Sequence, residues 1–391
     1  MSDVILENKW SETKTALMDG LSGQKQKVMD VVLENTRKTL SEQATTGATS
    51  AGNVATLNRV ILPVIRRVMP TVIANEIVGV QPMTGPVGQI HTLRVRYADT
   101  TTGGATNVIA GDEALSPFKI ASSYSGNDSS PAKGSATASL EGSGGKKLNV
   151  QILKQTVEAK SRKLQARWTF EAAQDAQAQQ GIDIEAEIMA ALAQEITAEI
   201  DQEILTSLRV LAGSAAATFD QSAVSGTATF VGDEHAALAV LINQQANLIA
   251  QRTRRGAGNF AVVSSEALTI LQSATTSAFA RTTEGTFEAP TNTKFVGTLN
   301  NAMRVYVDGY AATGTDVLVG YKGSSEADAA AFYCPYIPLM SSGVVLDPST
   351  FEPVVSFLTR YGYVELSNTA SSLGNAADYL ARIAISNPSF S

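Results

Sequence analysis

The chain has 391 residues, 44% of them hydrophobic and 17% charged, which is enough apolar material for a substantial core and two or three domains. A formal net charge of −7 argues against a surface built to grip nucleic acid, because phosphate contacts need clustered Lys and Arg. No apolar run reaches the roughly 20 residues that span a bilayer, and charges interrupt the start, MSDVILENKWSETK, where a secretory apolar region would sit, so a non-exported protein with no membrane partner is expected.

Residues 1–50 read as a separable arm. Val28, Val31 and Val32 give residues 27–40 a modest helical stripe, which dissolves into the small-residue linker SEQATTGATSAGN. Pro63 and Pro70 then cut an apolar run into pieces of one or two turns. Gly79, Pro82, Gly85, Pro86 and Gly88 impose turns before an alternating strand at 90–97. From 98 to 145 the composition shifts to Gly, Ser, Thr and Ala, with too little apolar area for a core, which predicts a long loop or a two-stranded excursion.

The chain returns through KKLNVQILKQTVEAKSRKLQARW, read as one strand. Its bases Lys146, Lys147, Lys154, Lys160, Arg162, Lys163 and Arg167 face the single acid Glu158. A long helix follows Gly181: Ile184, Ile188, Leu192, Ile196, Ile200, Ile204 and Leu208 recur every four residues, and Gly213 is its stop. Asp183, Glu185, Glu187, Glu195, Glu199, Asp201 and Glu203 decorate it with no base before Arg209. Like charges four apart, as in Glu195, Glu199 and Glu203, cost a few tenths of a kcal/mol per pair. A basic partner surface is therefore expected. Beyond Gly213, residues 236–252 and 266–273 read as helices, and 260–263, 304–307, 316–320, 353–364 and 379–385 as strands of a compact α+β arrangement.

Catalytic spacings do not emerge. His91 and His235 have no recognisable nucleophile or acid motif beside them. The acidic helix lacks the Glu-x-x-His pairs of a di-iron bundle, no Asp-rich loop matches a calcium site, and no phosphate-cradling GxxxxGK[ST] is present. The single cysteine, Cys334, excludes an intramolecular disulfide and reads as a small core hydrophobe. No enzyme, no metal and no cofactor is expected. An arm, a core-poor loop and an acidic helix in want of a base suit a protein that assembles with copies of itself.

Two segments carry a resemblance: SAGNVATLNRVILPVIRRVMPTVIANEIVGVQPMTGPVGQIHTLRVRY (residues 50–97) and EAKSRKLQARWTFEAAQDAQAQQGIDIEAEIMAALAQEITAEIDQEI (158–204), together about a quarter of the chain. They resemble the major capsid proteins of T-even-type tailed phages. The resemblance implies the α+β Hong Kong-97-type capsid fold, with an N-terminal arm (1–75) and an extended-loop region (76–165). It also implies a peripheral domain (166–231 and 341–391) with a spine helix at 182–212, and an axial domain (232–340). It further implies hexamers and pentamers of the chain building an icosahedral head around packaged double-stranded DNA without specific DNA binding, with portal, vertex, scaffold and decoration proteins as further partners. Residues 98–147 are too poor in apolar side chains for the insertion domain such proteins carry there, which puts in doubt any decoration protein that depends on it.

In that fold the extended loop of one subunit lies over the spine-helix region of the next. Across that contact the basic strand (Lys146, Lys147, Lys154, Lys160, Arg162, Lys163, Arg167) is expected to balance Glu195, Glu199 and Glu203 of a neighbour. A prohead protease that cuts after Glu in an Ile/Leu-x-Glu context would find one site at Leu40-Ser41-Glu42 and another at Ile5-Leu6-Glu7. Two other readings stand beside this one: an encapsulin-like compartment shell of the same fold, and a soluble enzyme with an unfamiliar site.

Overall fold

Periodicity in the sequence becomes, in chain order, α1 (Gln24–Thr45), α2 (Ala74–Ile77), β1 (Gly79–Val80), β2 (Val87–Tyr97), β3 (Leu148–Glu158), β4 (Lys160–Arg167), α3 (Phe170–Gln180), α4 (Ile184–Leu211), β5 (Ala217–Asp220), α5 (Val231–Thr253), β6 (Phe260–Ser264), α6 (Ser265–Ser273), β7 (Phe279–Arg281), β8 (Lys294–Leu299), β9 (Met303–Asp308), β10 (Val317–Gly320), β11 (Ala331–Ser341), β12 (Val345–Leu346), β13 (Pro353–Glu365) and β14 (Leu380–Ser386). In this computed structural model the described residues are 23–45, 73–101, 108–112 without 113 but with 114, 124–126, 133–180 without 143, 183–224, 231–274 without 254, 279–281, 294–366 with six single omissions, and 376–388, together with Trp10, Lys14, Thr15 and Met18. Pro63, Pro70 and Glu7 lie outside them.

The chain divides into two units, the first made of Met1–Gly88, Thr156–Leu205 and Phe332–Val364, the second of Gln89–Gln155, Thr206–Ala331 and Glu365–Ser391. In the first, a five-stranded sheet has the order β1-β11-β13-β12, with β4 antiparallel to β13 from Lys160↔Tyr361 to Arg167↔Val354. β11 runs through Pro335 and Pro338, residues that a strand tolerates only where an N–H is not needed for the ladder. That is why a strand there was not legible, and why its outer side instead takes β1 for two residues and backbone bonds from Gln81 and Met83. α1 buries Val28, Met29, Val32 and Leu33, a stripe at i, i+1, i+4, i+5 that extends the predicted one to Met29 and Leu33. The buried amide of Asn35 in α1 donates to the carbonyls of Met83 (2.8 Å) and Tyr336 (3.2 Å), fixing the helix's position along its seat.

In the second unit a seven-stranded sheet has the order β5-β14-β10-β6-β9-β8-β7, with β5/β14 and β6/β9 parallel. Every residue of β6 is buried. Ala261 and Val263 share a core with Leu238, Ile242, Ala246 and Ile249 of α5 and with Ala267, Ile270 and Leu271 of α6. Ser264 caps α6, its hydroxyl accepting from the N–H of Ala267. The last strand departs from expectation: β14 lies between β5 and β10, because Ala381, Ile383 and Ile385 on one parity complete this core. Residues 380–386 thus belong with the seven-stranded sheet of the second unit, not with β13 as expected for a stretch 341–391, whereas β11 groups with β13.

The excursion at 87–158 is two-stranded, β2 against β3. Bonds of equal reach at both ends, Ala98 N–H to the Lys147 carbonyl (3.0 Å) and Ala159 N–H to that of Pro86 (2.9 Å), set one register, with Leu93 opposite Ile152 and Val95 opposite Val150. Among the described residues, its far end holds a cluster of four buried residues, Tyr97, Val108, Ala114 and Tyr124, the two rings 4.6 Å apart. The single return strand expected at 146–167 is two strands, broken at Ala159 where the backbone leaves β2 for β13.

Gly320 tests the packing of the seven-stranded sheet. A Cβ there would come within 2.8 Å of Phe260 Cε1 and 2.9 Å of Leu380 Cδ2. Gly320→Ala is expected to destabilise the unassembled chain by about 1–3 kcal/mol, read as a lower midpoint in urea unfolding.

Candidate interaction site

Most acids of α4 find their counter-groups inside the chain. Asp183 accepts from the N–H of Glu185 (3.1 Å), and Glu185 and Glu187 sit in the first turn, where the helix dipole favours carboxylates. Asp201, 4% exposed, accepts the N–H of Ile73 at 2.9 Å. β4 then carries Arg162 to the helix: its Nη1 meets Glu199 at 2.7 Å, and its Nε and Nη2 both meet Glu203, the Nε at 3.2 Å. Tyr361 on β13 completes the group, its hydroxyl donating to Glu203 and accepting from Arg162 Nε at 2.5 Å. Among the described residues, Glu195 alone of the seven acids has no such role.

Protonation follows from this geometry. Burial by itself would raise the Glu203 pKa, but hydrogen bonds from Arg162 and Tyr361, and the positive charges of Arg162 and Lys160, win and hold the carboxyl below its ordinary value. Burial works against the charge of Arg162 in the same way, and the bonds to Glu203 and Tyr361 push its pKa up. The Tyr361 phenol is pushed up by burial first and by its bond to Glu203 second. Cys334 is buried and its thiol is pushed up to about 12 by that burial.

The other expected contact residues are distributed differently. The Lys146 ammonium bonds Thr101 Oγ1 at 2.8 Å and sits 5.6 Å from the centroid of the Tyr124 ring, so it serves the hairpin's own end cluster. Lys147 fixes that end through its backbone, donating to Asp99 Oδ2 (2.9 Å) and accepting from the Tyr124 hydroxyl (2.5 Å), while its side chain is exposed. Lys154, Lys160 and Lys163 are exposed, and Arg167, also exposed, lies 3.9 Å from Glu352. Glu42 lies in the last turn of α1. His91 is exposed, whereas His235, 2% exposed, bonds Ser273 Oγ through Nδ1 at 2.5 Å and ties α5 to the end of α6.

Within the alternating stretch 353–364, nothing local distinguishes Tyr361 from Tyr363 two residues on. The opposition of Tyr361 to Lys160 is a matter of register between β4 and β13, which lie almost 200 residues apart and leave no local mark.

The model of the Gp23 major capsid protein family matches residues 54–385. The chain belongs to that family. The major capsid protein of Vibrio phage KVP40 is 31% identical, over 88% of this chain and 82% of that protein. That of Enterobacteria phage T4 is 30% identical, over 80% of this chain and 76% of the relative. The capsid of Myoviridae phage XM1 is a looser structural likeness, with a TM-score of 0.43 at 12% identity over 78% of this chain and 89% of that one. Members are structural shell proteins of tailed phages, and the match favours this class over an encapsulin-like compartment. No helix of the described residues is long and apolar enough to cross a membrane.

Glu203 has a depressed pKa in the folded chain, so its contribution to stability is full above the ordinary carboxylate range and is lost as pH falls through the folded value. Glu203→Gln, which mimics the protonated acid, is expected to cost about 1 kcal/mol at pH 7 and progressively less below pH 4. Urea unfolding of both proteins at the two pH values checks this.

Proposed function

We propose that this chain is the subunit of a phage head shell, assembling as hexamers and pentamers into an icosahedral capsid that encloses packaged double-stranded DNA. The family match over residues 54–385 carries the reading. The extended hairpin supports it from the physical side. A two-stranded ribbon is marginal in water by itself, yet this one leaves Leu93, Leu148, Val150 and Ile152 between 52% and 67% exposed. Their register places all four on one face. Covering such a face takes another surface, and a second copy of the chain supplies it in a shell.

Charge on the proposed contact comes from the outward lysines of the hairpin and its return strand, Lys147, Lys154, Lys160 and Lys163, facing Glu195 and the acidic start of a neighbour's spine helix. Arg162, Glu199 and Glu203 are engaged within the subunit and contribute there through the shape they hold. Exposed pairs are worth about 0–1 kcal/mol each, so the lysines set register and partner choice while the aliphatic face carries affinity. Weak contacts suit a closed shell, which repeats each one many times and must correct errors as it grows. The net charge of −7 suits a wall that releases DNA.

Portal, vertex, scaffold and decoration proteins are the further partners this role calls for, met in the host cytoplasm before the particle is complete. A prohead protease cutting after Glu42 would remove most of α1. An intact mass from mature particles that begins at Met1 or Ser2 would exclude that cut.

Negative-stain microscopy of the purified chain tests the main proposal: closed particles, sheets or tubes are expected, and uniform small oligomers at every concentration would overturn it. Reversing Lys147, Lys154 and Lys163 together to Glu should slow assembly at least tenfold at low ionic strength and flatten its salt dependence, followed by light scattering. An unchanged rate and slope would remove the lysines from the contact.

A further inference from the structure

The hairpin leaves the body of the chain through a joint whose parts all lie in the first unit. Val157, 3% exposed, is the last inward residue of β3. Facing it on β2 is Gly88, where a Cβ would stand 3.1 Å from Val157 Cγ1 and 3.2 Å from Met83 Sδ. On its other side is Gly362 of β13, where a Cβ would overlap Val157 Cγ2 and stand 3.2 Å from the Glu158 carbonyl oxygen. Two glycines on different strands thus leave room for one valine. Immediately beyond, Ala159 bonds Pro86, and β4 begins its eight-residue ladder on β13 at Lys160↔Tyr361. The Arg162, Tyr361 and Glu203 group sits within two residues of that start and ties β4 to α4.

A steric closure thus lies on one side of Ala159 and a charged, hydrogen-bonded closure on the other, with Tyr361 and Gly362 adjacent on β13 serving one half each. We propose that this joint is a socket already closed in the unassembled subunit, which holds the root of the hairpin in one pose and so lowers the ordering cost of docking on a neighbour. Tyr361 is its positioning residue: the hydroxyl accepts from Arg162 Nε and donates to Glu203, so it fixes how the guanidinium lies on the helix. The inference rests on the shell reading for its consequence, though its structural half concerns the lone chain. It also reassigns Arg162, Glu199 and Glu203 from the contact between copies to the shape of each copy.

Hydrogen exchange by mass spectrometry on the full-length, unassembled chain, paired with assembly rates, tests it. Tyr361→Phe keeps the ring against Tyr333, whose centroid lies 5.5 Å away, and removes only the hydroxyl. It should speed exchange of the 157–167 amides about tenfold, as expected for local opening that has lost a charge-assisted bond, and slow assembly by a comparable factor. Gly362→Ala should do more of both, and Lys163→Gln, whose side chain points to solvent, should leave exchange unchanged. Arg162→Lys, which keeps the charge and loses the fork, should fall between wild type and Tyr361→Phe. Unaltered exchange in Tyr361→Phe with assembly lost would place the cluster at the contact between copies and overturn the proposal. Faster exchange with an unaltered assembly rate would overturn it as well, by showing that the socket does not prepare docking. If the wild-type chain forms no particles, the shell reading fails instead, and the exchange result still decides whether the socket is closed.

Discussion

A helix that is apolar along one side and acidic along the other stays in place only if its carboxylates are satisfied without disturbing the buried side. α4, the helix expected as the spine, meets this constraint in four ways along its length. Asp183 just before it and Glu185 and Glu187 in its first turn lie at the positive end of the dipole. Its middle buries Ile196, Ile200 and Ile204 at 0–2% exposure and hands Glu199 and Glu203 to Arg162. Asp201, on the buried side, is spent on the backbone N–H of Ile73. The end is closed by bases: Arg209 pairs with the fully buried Asp308 at 3.0 Å, and Arg382 donates to the carbonyls of Arg209 and Gly213 while gripping Asp316. Gly213 leaves the helix at φ +72°, the backbone state that glycine adopts without strain.

These devices differ in energetic character. The exposed half of the Arg162 cluster is worth little as a simple ion pair. Its value lies in the shared geometry of guanidinium, phenol and carboxylate, where each group orders the other two. Asp308 is the opposite case. A buried pair of this kind adds little net stability over an apolar substitute, but removing one partner strands a charge at a cost of about 3–5 kcal/mol. Such a pair specifies arrangement: only one placement of the helix end satisfies Asp308, which also accepts from the N–H of Tyr310. The two units of the chain divide within this helix, at Leu205 and Thr206.

How much of this was legible follows from the range of each interaction. The spine helix, α5, α6, β6, β9, β10 and β13 were readable to within a few residues because period and burial are local properties. The acidic face was readable too, but its partner was not. Arg162 lies 37 and 41 residues before the glutamates it meets and opposite Thr359, so the pairing depends on which strand β4 joins. Reading the helix as a set of unneutralised acids therefore overstated its need for a neighbour. Ala159 hid a break because both flanking segments alternate and nothing in the sequence marks the change of partner strand. β14 was misplaced for the related reason that alternation shows a buried face without naming the sheet, and β11 was missed because Pro335 and Pro338 interrupt the pattern of a strand. α3 has no apolar stripe to read: among its described side chains only Ala173 is even half-buried.

Accounting for charge inside the chain changes what an assembly contact has left to use. With Lys146 held by Thr101 and Tyr124, and Arg162 by Glu199, Glu203 and Tyr361, the outward bases on the described strands of the hairpin and its return are few and widely spaced. Screened lysines of that kind act over about 8–10 Å at physiological salt and add little once two surfaces touch. The aliphatic face that they flank is non-directional and gains with every Å² removed from water, but it cannot by itself choose a register. Proposed assembly therefore divides the work by range: lysines orient the approach, Leu93, Leu148, Val150 and Ile152 hold the contact, and a rigid root decides which pose is offered. A flexible root would leave the same aliphatic face free to meet any apolar surface, including another hairpin, and the closed socket at Val157 removes that freedom before contact begins.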